Sequence, residues 1–111
     1  MGLIYKICNV DLWEKARAEG QFIGAEIDLR DGFIHFSTAE QLGETLLLHF
    51  EGVENLLLLT IDGSRLDVKW EPARTGNLFP HLYNTLPLSA VLAINPLLLD
   101  HDGRHILPTK L

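Results

Sequence analysis

The run Asn55-Leu56-Leu57-Leu58-Leu59-Thr60-Ile61-Asp62 narrows the fold more than any other stretch of the chain. It does not alternate between apolar and polar residues, so neither face of it is marked for water. It is also too short for an ordinary helix before Asp62-Gly63 imposes a turn. The run therefore predicts a central strand buried on both faces. With 111 residues, 47% of them apolar and 22% charged, the chain is expected to form one domain over residues 1–111. That composition excludes disordered and low-complexity scaffolds and suffices for one core without cross-links.

The remaining segments are short and well punctuated. Leu3–Cys8 is rich in β-branched and aromatic residues and predicts a strand. Asp11 with Glu14 has the form of a capping box, opening a helix through Leu12, Trp13, Ala16 and Arg17 that stops at Gly20. Gln21 to Asp31 reads as a polar connection ending at the turn pair Asp31-Gly32, and Phe33–Phe36 as a second strand. Ser37/Glu40 and Thr38/Gln41 offer two capping frames for a second helix. Its apolar stripe is Ala39, Leu42, Leu46 and Phe50, and Gly52 closes it. Leu66–Glu71 alternates weakly and is expected to pair with the central strand. Pro72 to Asn77 is rich in turn formers, Pro87–Ile94 reads as a further strand, and Leu97–Leu107 as a terminal hairpin. Two helices followed mainly by strands with short connections predict an α+β domain with antiparallel sheets.

Nine Lys and Arg against 15 Asp and Glu give a net charge of −6. Such a chain has no broad field for a nucleic-acid backbone, although a small basic cluster suffices for a compact phosphate. Cys8 is the single cysteine, which excludes an internal disulfide and a paired-cysteine zinc site. The start of the chain lacks the pattern of a secretory leader, and the longest apolar runs fall far short of the roughly 20 residues that span a bilayer. The expectation is a cytoplasmic protein that does not cross a membrane. Oligomeric state is not legible at this level.

Three groups of residues carry chemistry. In Phe33-Ile34-His35-Phe36-Ser37, alternation puts His35 and Ser37 on one strand face, directly before a helix start that offers free backbone N–H groups. His35 suits a ribose hydroxyl, a phosphate oxygen or acid–base work near neutral pH. A capping serine and a hydrogen-bonded core histidine explain the same residues. In Phe79-Pro80-His81-Leu82-Tyr83, His81 and Tyr83 again share a face, one suited to protons and the other to stacking; ordinary core aromatics fit as well. In Lys69-Trp70-Glu71-Pro72-Ala73-Arg74, Trp70 offers a flat wall, Glu71 an acceptor or base and Arg74 a phosphate fork, against the alternative of a solvated sheet edge. Lys6 lies within an apolar strand, so its ammonium must reach solvent or a polar cavity. Cys8 has no activating base in view. Asp100-His101-Asp102-Gly103 is accounted for by a tight turn, without a metal. The ligand reading depends on His35 and His81, expected one on each of two sheets, facing a common hollow beside Lys6.

Ile4-Tyr5-Lys6-Ile7, Trp13 with Ala16 and Gly20, Asp31-Gly32-Phe33-Ile34-His35-Phe36-Ser37-Thr38, Gln41-Leu42, Trp70-Glu71 and Phe79-Pro80-His81-Leu82-Tyr83 stand in an order that resembles the bacterial domain of unknown function 952 family. The resemblance covers roughly residues 4 to 94. It implies a likeness to the ADP-ribosyltransferase fold: a compact α+β domain of two small antiparallel sheets and two main helices around a cleft for NAD or a related nucleotide. In the branch that moves RNA 2′-phosphates, a strand bearing Tyr-His-Gly-Thr precedes one with His-hydrophobic-Ser. Here Lys6, Ile7 and Cys8 stand in place of His-Gly-Thr, and no Glu-x-Glu precedes the last strands, so His81 or Glu71 would have to serve.

Three readings follow. In the first, the domain binds a nucleotide-like or other small anionic metabolite without turning it over. In the second it is an NAD-dependent ADP-ribosyl- or phosphotransferase. Lys6 and Arg74 then hold phosphate, His35 and Ser37 position a ribose, Tyr83 or Trp70 stacks a ring, and His81 or Glu71 assists transfer. In the third, both histidines are structural and function lies at a protein-interaction surface.

Overall fold

The computed structural model describes residues 2–73, 76–109 and 111. In chain order the elements are β1 (Leu3–Asn9), α1 (Val10–Glu19), β2 (Gln21–Phe22), α2 (Glu26–Asp31), β3 (Ile34–His35), α3 (Leu42–His49), β4 (Leu56–Asp62), β5 (Lys69–Pro72), β6 (Leu78–Leu82), β7 (Leu86–Pro87) and β8 (Val91–Leu97). Every strand pairing is antiparallel. The chain is an α+β domain whose described residues form three small sheets, ordered β1-β4-β8, β2-β7 and β3-β6-β5. The expected pair of sheets and pair of helices thus become three of each.

The leucine run is the centre of the first sheet. β4 lies between β1 and β8, and its side chains divide by parity. Leu59 and Ile61 enter one core with Ile4, Cys8, Trp13, Ile34 and Leu82. Leu56 and Leu58 enter another with Tyr5, Ile7, Leu42 and Leu46. Leu58, Leu59 and Ile61 are fully buried, each contributing about 1.5–3 kcal/mol relative to exposure. One core is closed by α1 and the β3-β6-β5 sheet, the other by α3. β1 alternates in the same way, which turns Lys6 towards the side of Ile4 and Cys8.

Local expectations meet several corrections. Asn9, not Asp11, caps α1: its side chain accepts from the Leu12 amide at 2.7 Å, so the helix starts two residues earlier. The second helix uses the Thr38/Gln41 frame, with Gln41 Oε1 accepting from the Thr38 amide at 3.0 Å. It begins as a 3-10 turn over Ala39–Gln41 and ends at His49, before Gly52. The segment read as a connection contains β2 and α2, whose six residues are too few to show periodicity. β5 pairs with β6 rather than with the central strand, because β1 and β8 already occupy both edges of β4. The last long strand runs on to Leu97, leaving the terminal hairpin with a single bridge between Leu99 and His105. Among the described residues, no helix is long and apolar enough to cross a membrane.

Candidate functional site

The β3-β6-β5 sheet brings the two histidine motifs together. His35 lies directly opposite His81, and Glu71 lies opposite Phe79, one strand further on. Alternation then puts Phe33, His35, Glu71, His81 and Tyr83 on one face, with Ile34, Trp70, Pro80 and Leu82 on the other. The imidazoles share one sheet instead of facing each other from two. Their centroids are 5.4 Å apart in an edge-on arrangement. Phe33 stands against all three rings, 4.6 Å from His35, 4.1 Å from His81 and 5.1 Å from Tyr83. The result is a continuous aromatic strip with carboxylates at both ends.

One end is closed. Lys6 and Asp28 are 5% and 2% exposed, and the Lys6 ammonium lies 2.9 Å from Asp28 Oδ2 and donates to the His35 carbonyl at 2.9 Å. Asp28 also accepts from the amides of Ala25 at 2.7 Å and His35 at 3.1 Å. His35 Nδ1 is 2.7 Å from Asp28 Oδ1 and its Nε2 is 3.0 Å from Asp31 Oδ2. Both ring nitrogens of His35 thus face carboxylate oxygens. Gly24 makes the seat of Asp28 available: it has a φ of +121°, and a Cβ there would lie 2.8 Å from the Asp28 Cβ. Burial opposes ionisation of Asp28, but the bonds from His35, Lys6 and Ala25 outweigh it and pull the carboxyl down to about 2. Burial pushes the Lys6 ammonium below its usual range, against the pull of Asp28. The charge of Lys6 is therefore spent inside the protein.

The other end is open. Glu71 Oε1 receives His81 Nδ1 at 2.7 Å and the Tyr83 hydroxyl at 2.7 Å. Those two bonds hold the Glu71 carboxyl below the ordinary carboxylate range, and the bond to Glu71 raises Tyr83. With Nδ1 donating to Glu71, Nε2 of a neutral His81 is an acceptor, and it has no hydrogen-bond partner among the described residues. It is not sealed off, since no buried polar side-chain atom lacks a partner among those residues. Tyr83 is 53% exposed and forms the rim.

The other residues named from the sequence lie apart from this strip. Ser37 is buried, its hydroxyl 3.3 Å from Thr45 Oγ1, while its backbone bridges to Tyr5 and ties β1 to the segment after β3. Trp70 projects from the opposite face of the sheet. Arg74 lies outside the described residues. Burial lifts the Cys8 thiol to about 11, which leaves it inert. Asp28, Asp31 and Phe33 complete the cluster without having been singled out; the signal for Asp28 was Lys6 itself, a buried cation that requires a counter-ion.

The model of a family described as "protein of unknown function (DUF952)" matches residues 7–94. The chain is similar to protein CC0527 from Caulobacter crescentus. To its crystal structure the identity is 46%, with 94% of this chain and 93% of that chain covered and a TM-score of 0.89. To its solution structure the identity is 47%, with 94% and 91% covered and a TM-score of 0.84. No curated protein matches the chain.

Proposed function

The chain belongs to the DUF952 family of proteins of unknown function, and from that premise we propose that it binds a small nucleotide-like ligand on the Phe33–His81–Tyr83 strip. The observation that carries this reading is Nε2 of His81, without a partner among the described residues and held in place through Nδ1 by Glu71. An aromatic strip offers stacking area to a planar ring, and the rim carboxylate of Glu71 suits a sugar hydroxyl. Lys6 contributes no free charge to a phosphate; the described cation on this face is Lys69, directly opposite His81. The setting in this reading is the cytoplasm.

The test is a titration of histidine-labelled protein with adenosine, AMP, ADP-ribose and NAD, following the imidazole resonances. Saturable shifts at His81 that disappear in Tyr83→Ala support the proposal. Unmoved His81 resonances across the whole series would end it.

A second reading, an NAD-dependent transferase, draws on one observation: a carboxylate and an imidazole joined at 2.7 Å form an acid–base pair next to an open face. Product analysis after incubation with NAD separates the two. Binding without product supports the first reading, and released nicotinamide the second.

A further inference from the structure

A second concavity lies on the far side of the same sheet. It is an open groove of about 780 Å³ between β1, the 3-10 turn at Ala39–Gln41 and the edge of β5. Its floor includes Tyr5 and its outer wall Trp70, which is 50% exposed; Thr38, Glu40 and Ser64 supply the polar rim. Tyr5 is 2% exposed, yet its hydroxyl has no partner among the described residues and is not a sealed, unsatisfied atom. The ring is buried and the O–H opens into the groove.

We infer that this groove is a binding site for a neutral planar heteroaromatic whose edge carries an adjacent acceptor and donor, as in a lactam or a carboxamide. The acceptor takes the Tyr5 hydroxyl, the donor meets Glu40, and the flat ring lies along Trp70. Burial and the nearby Glu40 both raise Tyr5, so its hydroxyl keeps its proton and stays a donor at neutral pH. The same carboxylate excludes anionic rings of equal size. Because Trp70 and His81 lie on opposite faces of one sheet, this site stands apart from the His81 strip and its test is independent.

The probe is 2-pyridone, titrated into the ¹⁵N-labelled full chain while the indole N–H signals of Trp70 and buried Trp13 are followed. The expected result is a saturable shift at Trp70 with Trp13 unmoved. Tyr5→Phe should weaken binding about tenfold, the order of one lost hydrogen bond. Benzoate should bind at least about tenfold more weakly than 2-pyridone, and Glu40→Gln should close that gap. If Tyr5→Phe perturbs folding, Trp70→Ala at the exposed wall replaces it, followed at the backbone amides of Ala39 and Glu40, whose saturable shifts it should abolish. His81→Ala should change nothing. Unchanged affinity in Tyr5→Phe, benzoate binding as well as 2-pyridone, or no saturable shift at Trp70 would each overturn the assignment.

Discussion

The two ends of the aromatic strip use the same parts and put them to opposite ends. At each, a carboxylate holds Nδ1 of a histidine at 2.7 Å. At the His35 end the carboxylate is buried, neutralised by Lys6 and saturated with amide donors, and Asp31 takes the remaining ring nitrogen. At the His81 end the carboxylate is partly exposed, its second oxygen has no partner among the described residues, and the ring keeps one nitrogen open. A histidine–carboxylate pair is therefore not a site in itself. What separates scaffold from site is whether the protein uses up the last hydrogen-bonding atom. Here the closed pair ties α2 and β1 to β3 at His35, the residue that stands opposite His81.

The largest effect should come from breaking the closed end. Asp28→Asn leaves the Lys6 ammonium buried without a counter-charge and should cost about 3–5 kcal/mol in urea unfolding. Lys6→Met combined with Asp28→Leu should recover much of that loss; a double variant as unstable as Asp28→Asn would show that the pair is not the clamp. The deficit in Asp28→Asn should also shrink with rising pH. Burial lowers Lys6 in the folded state, so the burden is present below its folded pKa and vanishes above the unfolded one, which stability measured from pH 7 to about 10.5 checks. The wild type has its own acid limb. Since the Asp28 carboxyl is held at about 2, its contribution is full above the ordinary aspartate value near 4 and is lost as pH falls towards 2. Acid unfolding should steepen in that window, and an Asp28→Asn variant should lack the step.

Legibility in the sequence divides along the same line. The leucine run announced the centre of the main sheet because a residue buried on either face needs no partner beyond apolar neighbours, and composition reports that directly. Strand spacing likewise put His81 with Tyr83. What could not be read was pairing between segments. Leu66–Glu71 carries no sign of choosing β6 over β4, since that choice depends on which edges are already filled. Asp28 sits in a six-residue helix too short for periodicity, and its role exists only because Lys6 arrives from 22 residues away. The same blindness grouped Trp70 with Glu71: neighbours in sequence, they leave the sheet from opposite faces.

Smaller effects belong to the open end, where removal of a partner changes chemistry before stability. Glu71→Gln preserves an acceptor for His81 Nδ1 but removes the charge. The urea midpoint should hold, while the His81 ring nitrogens lose the fixed distribution seen by ¹⁵N chemical shift. A fall in stability matching that of Asp28→Asn would erase the distinction between the ends.

Tyr83→Phe is the finest probe of all. It deletes one donor to Glu71 and leaves the aromatic strip intact, so folding and the His81 contact should persist. Glu71 is held low first by His81 and then by Tyr83. Its carboxyl should therefore rise in the variant without reaching the ordinary value, measured by ¹³C titration of the side-chain carboxyl. The sign is fixed by the chemistry: a hydrogen bond to the ionised oxygen favours the ionised form, and removing it moves titration upward. An unmoved carboxyl would mean that Tyr83 leans on the rim without binding it. A rise all the way to the ordinary value would mean that His81 contributes nothing, and the open end would then be a tyrosine–carboxylate contact with a histidine beside it.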